Sequence, residues 1–526
     1  MSTRFDFNAL FDDAEREPAG ERQPPPQWSG PKSAGFDAEF RTYLLHKIVL
    51  VRAEADVPDL ADLYVQISHG DAPTLVRLNS TSFHNHLNRL VDIFTHGAPD
   101  VVISRADFDD IQQFLRAKAH RIAKTRSVFK RVAWLPEEEE LWIDLSREDG
   151  LCVRITSSGW ILEAPLAPLF VRFPMQRPLP LPEPSDDGHA AYLRILPPGI
   201  SDGDAKLLLG AILGCLIPSN FNASFSYPTI IITGEAGSGK STLAKAIKRL
   251  IDNELATVAA KPTKLDDLYV DAQDTHLLSY DNVDFIRGSL SDALCQLTTA
   301  SAVKKRKFYT DADKLLLRAH NPIQLNGIHP DIPRQDFLDR SIFIHLSRIA
   351  HLTPDTVNRT EADFPLVMGY VCDLLARALA NYHTTELSQP TRLSLLAKIA
   401  TAAQPFGCET PFVDLLAANQ REALIATQDN NQVIAALFDL LAKQRVWSGT
   451  YKGLLKILTE RADEATTRSP EWPASPHRLA NLMRTHARLL REQGLEITAG
   501  AKTEHGRMVS VRRLGPRRDD EEEIPF

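Results

Sequence analysis

The feature that most limits the possible folds is a glycine-rich stretch between residues 229 and 250. Apolar and β-branched residues from Thr229 to Ile232 predict a buried strand, and residues 242–250 carry leucine, alanine and lysine at helical spacing. Between them the pattern G-x-x-x-x-G-K-S runs from Gly234 to Ser241. Its glycines allow consecutive backbone N–H groups to turn inward around a phosphate, and the helix N-terminus adds its positive end. The stretch therefore predicts a strand, a phosphate loop and a helix that bind a nucleoside triphosphate.

Individual residues of this loop have distinct expected roles. Lys240 is expected to reach the β- and γ-phosphates of ATP, and the Ser241 hydroxyl is expected to bind Mg²⁺. The predicted nucleotide-binding residues of the loop are Gly234, Glu235, Ala236, Gly237, Ser238, Gly239, Lys240, Ser241 and Thr242.

Length and composition place the chain among multidomain globular proteins. Its 526 residues are too many for one core, and 43% of them are hydrophobic and 24% charged. No apolar run approaches the ~20 residues that span a bilayer, and the first residues lack the apolar core of a signal peptide. The five cysteines, at positions 152, 215, 295, 372 and 408, form no C-x-x-C pair. They predict reduced thiols in a cytoplasmic protein, without a zinc site or a membrane partner.

A second landmark is a carboxylate about forty residues after the lysine. The apolar run from Thr275 ends in Asp281, which is placed to hold Mg²⁺ opposite Ser241. The next residue is Asn282, where many ring-forming ATPases carry a catalytic acid. This difference leaves the base that activates water unidentified, because Asp284 and Glu235 are weak substitutes.

A basic segment follows within the same region. Lys304, Lys305, Arg306 and Lys307 precede Phe308 and Tyr309, a polar turn and an apolar run, which together predict a β-hairpin. Four cations beside aromatic residues are suited to grip DNA phosphates, so we expect these four to contact DNA. The alternative interpretation is an ordinary solvated run of charge.

The order GEAGSGKS, LLSYDN, basic hairpin, QLNGI and FLDRS resembles AAA+ ATPases of the superfamily 3 and minichromosome-maintenance-like helicases. The run LSDALCQLTTASAVKKRKFYTDADK, with LNGI and DFLDRS, is similar to ATPases of phages and other bacterial mobile elements, often described as replication helicases or primase-helicases. The resemblance covers about 190–420. In these relatives glycines usually follow SDALC, whereas this chain has Thr299, Ala300, Ser301 and Ala302 there.

The resemblance implies further roles. Asn326 would be sensor 1, which polarises the γ-phosphate or the attacking water. Arg340 would be the arginine finger that reaches a neighbouring subunit's nucleotide, so turnover would require a ring, expected to be a hexamer. Arg392 is a weaker candidate for sensor 2. The alternative for Arg340 is a salt bridge to Asp336 or Asp339.

The C-terminal part is strongly asymmetric in charge. Residues 430–518 hold sixteen Lys/Arg and eight Asp/Glu, a net charge of +8. Three predicted helices and a hairpin indicate a winged helix, and Arg484, Arg488 and Arg491 lie close together on the face of its third helix. This arrangement suits a helix against a DNA backbone, although winged helices also bind proteins.

The last eight residues, DDEEEIPF, resemble the C-terminal tip of bacterial single-stranded-DNA-binding proteins. Phe526 offers an aromatic plug and a terminal carboxylate, Pro525 limits the entropy lost on docking, and the acids steer the tail toward a basic-rimmed pocket. With Ile524, these residues predict docking to host proteins that bind such a tip, for example primase or a clamp-loader subunit. The alternative is a solubilising tail.

The predicted fold class is α/β: an AAA+ P-loop ATPase core with a helical lid, an N-terminal α+β region and a C-terminal winged helix. The expected divisions are 1–35, a disordered segment; 36–128, a helical domain; 129–196, a small β-rich domain and proline-rich linker; 197–350, the ATPase core; 351–430, the lid and connector; 431–514, the winged helix; and 515–526, the acidic tail.

The expected function is an ATP- and Mg²⁺-dependent DNA helicase of a bacterial mobile element, acting in replication on single-stranded or forked DNA. One alternative is a non-helicase initiator or anti-phage defence ATPase, in which nucleotide controls assembly. Another is an adaptor whose main task is to deliver the tail.

Deleting Ile524 to Phe526 is expected to abolish binding to a host protein that docks such tips while leaving ATP hydrolysis unchanged. Fluorescence anisotropy with labelled host primase or clamp-loader subunit measures the first quantity, and phosphate release measures the second. Unchanged host-protein binding after the deletion would contradict both the recruitment and the adaptor interpretations.

Overall fold

The computed structural model describes residues 36–54, 62–69, 72–98, 101–165, 167, 169–222, 225–283, 286, 288–299, 302–306, 314–327, 335–348, 361–404, 410–429, 432–463, 466–467, 472–485, 490–491, 494–504 and 506–514. The predictions for residues 1–35 and for the acidic tail lie outside these residues.

The helices are α1 (Phe36–Lys47), α2 (Thr81–Phe94), α3 (Arg105–Ile122), α4 (Gly188–Ile195), α5 (Asp202–Cys215), α6 (Lys240–Ile251), α7 (Leu265–Asp274), α8 (Gly288–Thr298), α9 (Gln335–Leu338), α10 (Asp363–Asn381), α11 (Ser394–Ala403), α12 (Phe412–Asp429), α13 (Gln432–Lys443), α14 (Tyr451–Arg461) and α15 (Pro476–Thr485).

The strands are β1 (Val49–Ala53), β2 (Leu63–His69), β3 (Ala72–Arg77), β4 (Lys124–Arg126), β5 (Val128–Phe129), β6 (Val132–Leu135), β7 (Glu140–Asp144), β8 (Cys152–Thr156), β9 (Gly159–Glu163), β10 (Leu169–Phe170), β11 (Thr229–Gly234), β12 (Ala259–Ala260), β13 (Leu278–Asp281), β14 (Ala302–Arg306), β15 (Lys314–Arg318), β16 (Ile323–Gly327), β17 (Ser341–Leu346), β18 (Val446–Thr450), β19 (Leu495–Thr503) and β20 (Gly506–Arg513).

The chain divides into two compact units, and the first comprises residues 1–128 with 169–174. Its sheet has the order β3-β2-β1-β4, with β1 antiparallel to β2 and parallel to β4. Helices α2 and α3 bury apolar side chains such as Phe83, Leu87 and Leu115 against the sheet residue Val65. The apolar faces of these helices and the apolar residues on one face of the sheet therefore form a single hydrophobic core.

The prediction of a helical domain at 36–128 was incomplete, because β1 to β4 form a sheet there beside α1, α2 and α3. The helices were recognised, since α2 and α3 are long enough to show periodicity. The strands are three to seven residues long, and β1 reads VLVRA. Such short apolar runs favour strands through their branched side chains but show no clear period.

The second unit, residues 129–168 and 175–526, contains a five-stranded sheet with the order β12-β13-β16-β11-β17. All its neighbouring strands are parallel. Ile230 and Ile232 pack into one hydrophobic cluster with α5 and α6, whereas Ile231 packs into another with α7 and α8. Helices thus cover both faces of a mixed α/β core, as buried parallel sheets require.

The region 129–196 is not a separate small domain followed by a linker. Strands β6 to β9 form the antiparallel meander that the sequence indicates, but Val132 and Ile143 lie in the same hydrophobic cluster as β11 and α6. Residues 169–174, which fall inside the predicted β-rich domain, belong to the first compact unit. The predicted domain boundary at 196 was wrong because the sequence pattern shows where strands occur but does not show which hydrophobic core each strand packs into.

The proline-rich segment also differs from the predicted stiff connector. Leu179 is 2% exposed and lies in the large core, and Leu181 packs against it. The backbone N–H of Leu179 donates to Leu145 O at 2.9 Å, and that of Glu183 donates to Pro365 O at 3.1 Å. The two leucines and these hydrogen bonds therefore make the segment part of the packed unit.

Residues 432–514 contain α13, α14, α15 and an antiparallel sheet with the order β18-β20-β19. The three predicted helices and the hairpin are present; residues 486–489 lie outside the described residues, and Leu490 and Arg491 beyond them are helical. The sequence analysis missed β18, which pairs with β20 through Trp447 and Val511. Its sequence, VWSGT, is only five residues long and contains the small residues serine, glycine and threonine, so it lacks a clear strand pattern.

Four of the five cysteines, Cys152, Cys215, Cys295 and Cys372, are free, and Cys408 lies outside the described residues. In the part of the chain that the structure covers, no helix has the length and apolar content needed to cross a membrane.

A buried ionic network lies at the C-terminal end of α6. Arg131 and Asp252 are fully buried, and the Arg131 Nε and Nη2 groups donate to Asp252 Oδ1 at 3.1 and 2.8 Å. Lys248 Nζ lies 3.2 Å from Asp252 Oδ2, which also accepts the backbone N–H groups of His276 and Leu277 at 2.8 and 3.0 Å. One carboxylate therefore joins the start of β6, the end of α6 and the segment before β13.

The protonation of Asp252 follows from its partners. Burial alone would raise the pKa of this carboxyl, but Lys248, Arg131 and His276 together hold it well below its usual range. A lowered carboxyl pKa stabilises the folded chain above the unfolded-state pKa of about 3.9, and this contribution is lost as the pH falls.

Replacing Asp252 with asparagine is expected to destabilise the second unit by about 3–5 kcal/mol, because the fully buried Arg131 then loses the carboxylate it pairs with, while Lys248 keeps only its ion pair with Glu254. Urea unfolding followed by tryptophan fluorescence measures the shift in midpoint. The matched control is Asp109→Asn, whose partner Arg105 is 84% exposed in an i,i+4 surface pair, and there we expect less than about 1 kcal/mol. Equal midpoints for the two variants would contradict a stabilising role for the network.

Candidate nucleotide-binding site

The parallel register brings three predicted site segments to one edge of the sheet. Strand β11 pairs with β16 so that Ile232 lies opposite Asn326, and β13 pairs with β16 so that Tyr280 lies opposite Leu325. Asp281 and Asn326 therefore end neighbouring strands at the edge where β11 runs into the phosphate loop. Ligand sites of open parallel sheets lie outside these carboxyl ends.

The loop conformation depends on glycines. Gly234, Gly237 and Gly239 have φ values of 148°, 81° and 88°. A Cβ on Gly234 would lie 2.3 Å from Leu346 O and 2.8 Å from Ser238 Oγ. Gly234 is therefore required both for its backbone conformation and for the close approach of β17.

Lys240 begins α6 and folds back over the loop. Its Nζ donates to Gly234 O at 2.6 Å and to Glu235 O at 2.7 Å. Partial burial lowers the pKa of Lys240, and the nearby Asp281 carboxylate opposes that shift. The ammonium group is thus held at the loop by carbonyl oxygens that a phosphate could replace.

Ser241, Asp281 and Asn326 form a polar cluster next to this lysine. Ser241 Oγ donates to Asp281 Oδ2 at 3.0 Å, and Asn326 Nδ2 lies 3.5 Å from Ser241 Oγ. Hydroxyl and carboxylate oxygens are the protein ligands that Mg²⁺ prefers. The three residues come from α6, β13 and β16, so the fold brings together groups that the sequence separates by 85 residues.

Two buried polar atoms test whether a ligand fits here. Ser238 is 0% exposed and Asn326 is 1% exposed, yet Ser238 Oγ and Asn326 Oδ1 have no hydrogen-bond partner among the described residues. Unpaired buried polar atoms indicate a missing water, ion or ligand. Both atoms lie at the glycine loop and the Ser241 cluster, so the donor set fits a phosphate group with Mg²⁺.

Asn282 follows Asp281 in a left-handed conformation with φ 53°. Asparagine is one of the few residues other than glycine that tolerates this region. Its backbone N–H donates to Asp281 Oδ1 at 2.8 Å, and its side chain is exposed. The local backbone conformation therefore explains an asparagine at this position. Its side-chain amide cannot accept a proton from water, as the carboxylate of an aspartate or glutamate could.

Arg340 follows α9 and is 15% exposed. It forms an ion pair with Asp336, and its Nη1 also donates to Asp336 O at 2.8 Å. The salt bridge that the sequence analysis left open as an alternative is thus present within the chain. Asp336 is 57% exposed, whereas the Arg340 Nε is buried and has no hydrogen-bond partner among the described residues.

Arg392 lies in the segment between α10 and α11. Its exposed side chain lines a cavity of about 360 Å³ whose other described lining residues include Asp339, Gln389, Thr391 and Gln420. No residue of 234–242 belongs to that lining. The structure therefore places Arg392 beside the segment that carries Arg340.

The predicted DNA-contacting residues are described only in part. Lys304, Lys305 and Arg306 lie on β14, which pairs antiparallel with β15, so the predicted hairpin strands are present. Arg484 and Arg491 are exposed. Lys307, Arg488 and the tail residues Ile524, Pro525 and Phe526 lie outside the described residues.

One buried residue near the site was not identified from the sequence. Gln324 is 1% exposed, and its Nε2 donates to Ala244 O at 3.0 Å and to Ser279 Oγ at 2.8 Å. It ties β16 to α6 and to β13, the elements that carry Asn326, Ser241 and Asp281. A polar residue inside an apolar strand was the available signal.

Two stretches of the chain match known families. Residues 200–416 match the actinomycete integrative conjugative element replication protein, and residues 433–521 match the C-terminal domain of the same kind of replication protein, RepA. A comparison with curated proteins finds no match.

Several solved structures are similar in backbone at low sequence identity. The helicase Cch of SCCmec type IV aligns at 10% identity and a TM-score of 0.46 over 89% of this chain and 93% of its own. The C-terminal region of NrS-1 aligns at 10% identity and a TM-score of 0.37 over 90% and 99%. The JCV helicase aligns at 14% identity and a TM-score of 0.22 over 45% and 64%.

Replacing Gly234 with alanine is expected to weaken ATP binding by at least about tenfold, because the new methyl group forces β17 or the loop to shift at a cost of about 1–3 kcal/mol. Isothermal titration with ATP measures the affinity. The matched control is Gly203→Ala in the first turn of α5, where the nearest atom lies 3.9 Å from the added carbon. Equal ATP affinity in the two variants would show that the glycine contact is irrelevant to binding.

Proposed function

We propose that the chain is a replication protein of an integrative conjugative element that binds ATP with Mg²⁺ and uses its hydrolysis to move along DNA. The observation that carries the proposal is the convergence of Ser241, Asp281 and Asn326 beside Lys240 at one edge of a parallel sheet. The match of residues 200–416 to a replication protein supplies the biological setting.

The residues then have definite roles. Ser241 and Asp281 would hold Mg²⁺, which would neutralise charge on the phosphates, and Lys240 would exchange its carbonyl partners for phosphate oxygens. The amide of Asn326 would orient the attacking water, and the loop N–H groups would bind the phosphates. Water activation has no assigned base, since the neighbouring Asn282 cannot accept a proton.

Arg340 is proposed to act on the nucleotide of a neighbouring subunit. An arginine that stabilises transition-state charge in trans contributes about 10³–10⁵ to turnover, which makes a ring, here a hexamer, necessary for activity. The β14–β15 hairpin would contact the strand, the 432–514 region would hold DNA as a winged helix, and the acidic tail would recruit host replication proteins.

A second candidate function is a nucleotide-controlled initiator that assembles on DNA without unwinding it. Asn282 favours this candidate, because slow hydrolysis suits a switch better than a motor. Strand displacement separates the two candidates: the helicase proposal predicts ATP-dependent release of a labelled strand from a fork. ATP binding without hydrolysis or strand release would reject the helicase.

The ring is tested by mixing two inactive variants. Lys240→Ala and Arg340→Ala are each expected to lose ATP hydrolysis, while their equimolar mixture restores about a quarter of the interfaces, since one subunit supplies the lysine and the next the arginine. Phosphate release measures the recovered rate.

Asp336→Ala is the matched control, because it removes the same ion pair but keeps the arginine. We expect this variant to retain hydrolysis. Equal inactivity of Asp336→Ala and Arg340→Ala, with no recovery on mixing, would assign Arg340 to the intrachain salt bridge alone.

A further inference from the structure

A cavity lies in the first compact unit, in a region to which the sequence analysis assigned no role. Its volume is about 210 Å³, and it lies between α2 and the sheet. The described lining residues are Ile67, Thr74, Val76, Ser82, Asn85, His86, Arg89 and Arg172.

Helix α2 supplies the polar wall. Ser82, Asn85, His86 and Arg89 recur at intervals of three and four, so they lie on one helix face. The helix is anchored through other positions, among them the fully buried Leu87. The polar face is therefore held in place by the hydrophobic core and does not itself contribute to it.

The strands supply an apolar floor. Ile67 on β2 lies opposite Thr74 on β3, and side chains two residues apart on a strand share a face, which adds Val76. Thr74 Oγ1 donates to Ile67 O at 3.3 Å, and Ile67 and Val76 are 5% and 1% exposed. A cavity with an apolar floor and a few polar side chains on its wall is typical of small-molecule binding sites.

Arg172 reaches the cavity from a distant part of the sequence. The N–H of Arg172 donates to Leu75 O at 2.8 Å, so this segment runs beside β3. Val171 and Phe173 pack in the cluster that contains Leu75, on the opposite face of the sheet. Alternation along an extended segment therefore turns Arg172 toward the face that carries the cavity.

We propose that this cavity binds a phosphate group, carried either by a single-stranded nucleic acid or by a free nucleotide. Arg89 and Arg172 lie 83 residues apart in sequence and line one space together. Two guanidinium groups offer paired donors that match phosphate oxygens, and the Ser82 hydroxyl and Asn85 amide add neutral donors.

The test uses the full chain with Arg89→Gln/Arg172→Gln, and the matched control is Arg105→Gln/Arg121→Gln on α3 of the same unit. Both double variants lose two positive charges, but the control positions are exposed and lie outside the cavity lining. The first probe is a fluorescent oligothymidylate strand without nucleotide, titrated at several salt concentrations. The second probe is radiolabelled ATP by equilibrium dialysis in a Lys240→Ala background, which disables the phosphate loop.

If nucleic acid supplies the phosphate, the cavity variant should bind the strand about tenfold more weakly than the control, and its salt slope should fall by about 0.7 for each lost contact. If a nucleotide supplies it, strand binding is unchanged and the ATP retained in the Lys240→Ala background falls by about tenfold. Cavity and control variants with the same affinity for both probes would overturn the proposal.

A single substitution guards against misfolding. Arg89 is exposed, so Arg89→Glu should preserve the fold and is compared with Arg105→Glu by the same two probes and by thermal unfolding. Weaker binding by Arg89→Glu at equal melting temperature supports the cavity, and equal binding by the pair rejects it. Because the assays need no ATP hydrolysis, failure of this proposal and failure of the ATPase proposal are seen separately.

Discussion

The parallel pairing of β11 with β16 and β17 is the constraint on which the candidate site depends. Parallel strands end at the same edge, so the register that sets Ile232 opposite Asn326 also aligns the glycine loop with Asp281 on the adjoining strand. The close approach of Leu346 O on β17 then leaves no room for a side chain at Gly234. A change of one residue in this register would separate Ser241, Asp281 and Asn326, and no local substitution could restore the cluster.

The buried ion pairs and hydrogen bonds of Asp252 hold α6 and β13 together at the ends of these elements that lie farthest from the candidate site. Arg131 at the start of β6, Lys248 near the end of α6 and the N–H groups before β13 all converge on one carboxylate. The phosphate loop begins α6 and Asp281 ends β13, so both site-bearing elements are fixed at the ends remote from the site. The β6–β9 sheet is thereby joined to the parallel-sheet core by paired charge as well as by apolar packing, and buried apolar residues of its strands belong to the same hydrophobic cluster.

Local chemistry made part of this structure predictable. The G-x-x-x-x-G-K-S pattern, the acid at the end of an apolar run and the basic hairpin each carry their signal within a few residues, and the observed strands and helices around Lys240 and Asp281 agree with it. The packing of segments that are distant in sequence was not predictable. The four short strands of 36–128, the burial of Leu179 and the position of Arg172 depend on which surfaces meet, and sequence periodicity does not specify that. Arg392 illustrates the same limit, since its place beside Asp339 follows from the packing of α12 and the 389–392 segment.

Electron paramagnetic resonance of bound Mn²⁺ tests the central claim, that Ser241 and Asp281 hold a metal against a nucleotide phosphate. The account predicts that ATP makes the chain bind Mn²⁺, with hyperfine coupling to ³¹P that shows metal–phosphate contact. It also predicts that Ser241→Ala and Asp281→Asn each lose this signal. Mn²⁺ that binds equally well without ATP, or that keeps its phosphorus coupling in both variants, would contradict the assignment of the site.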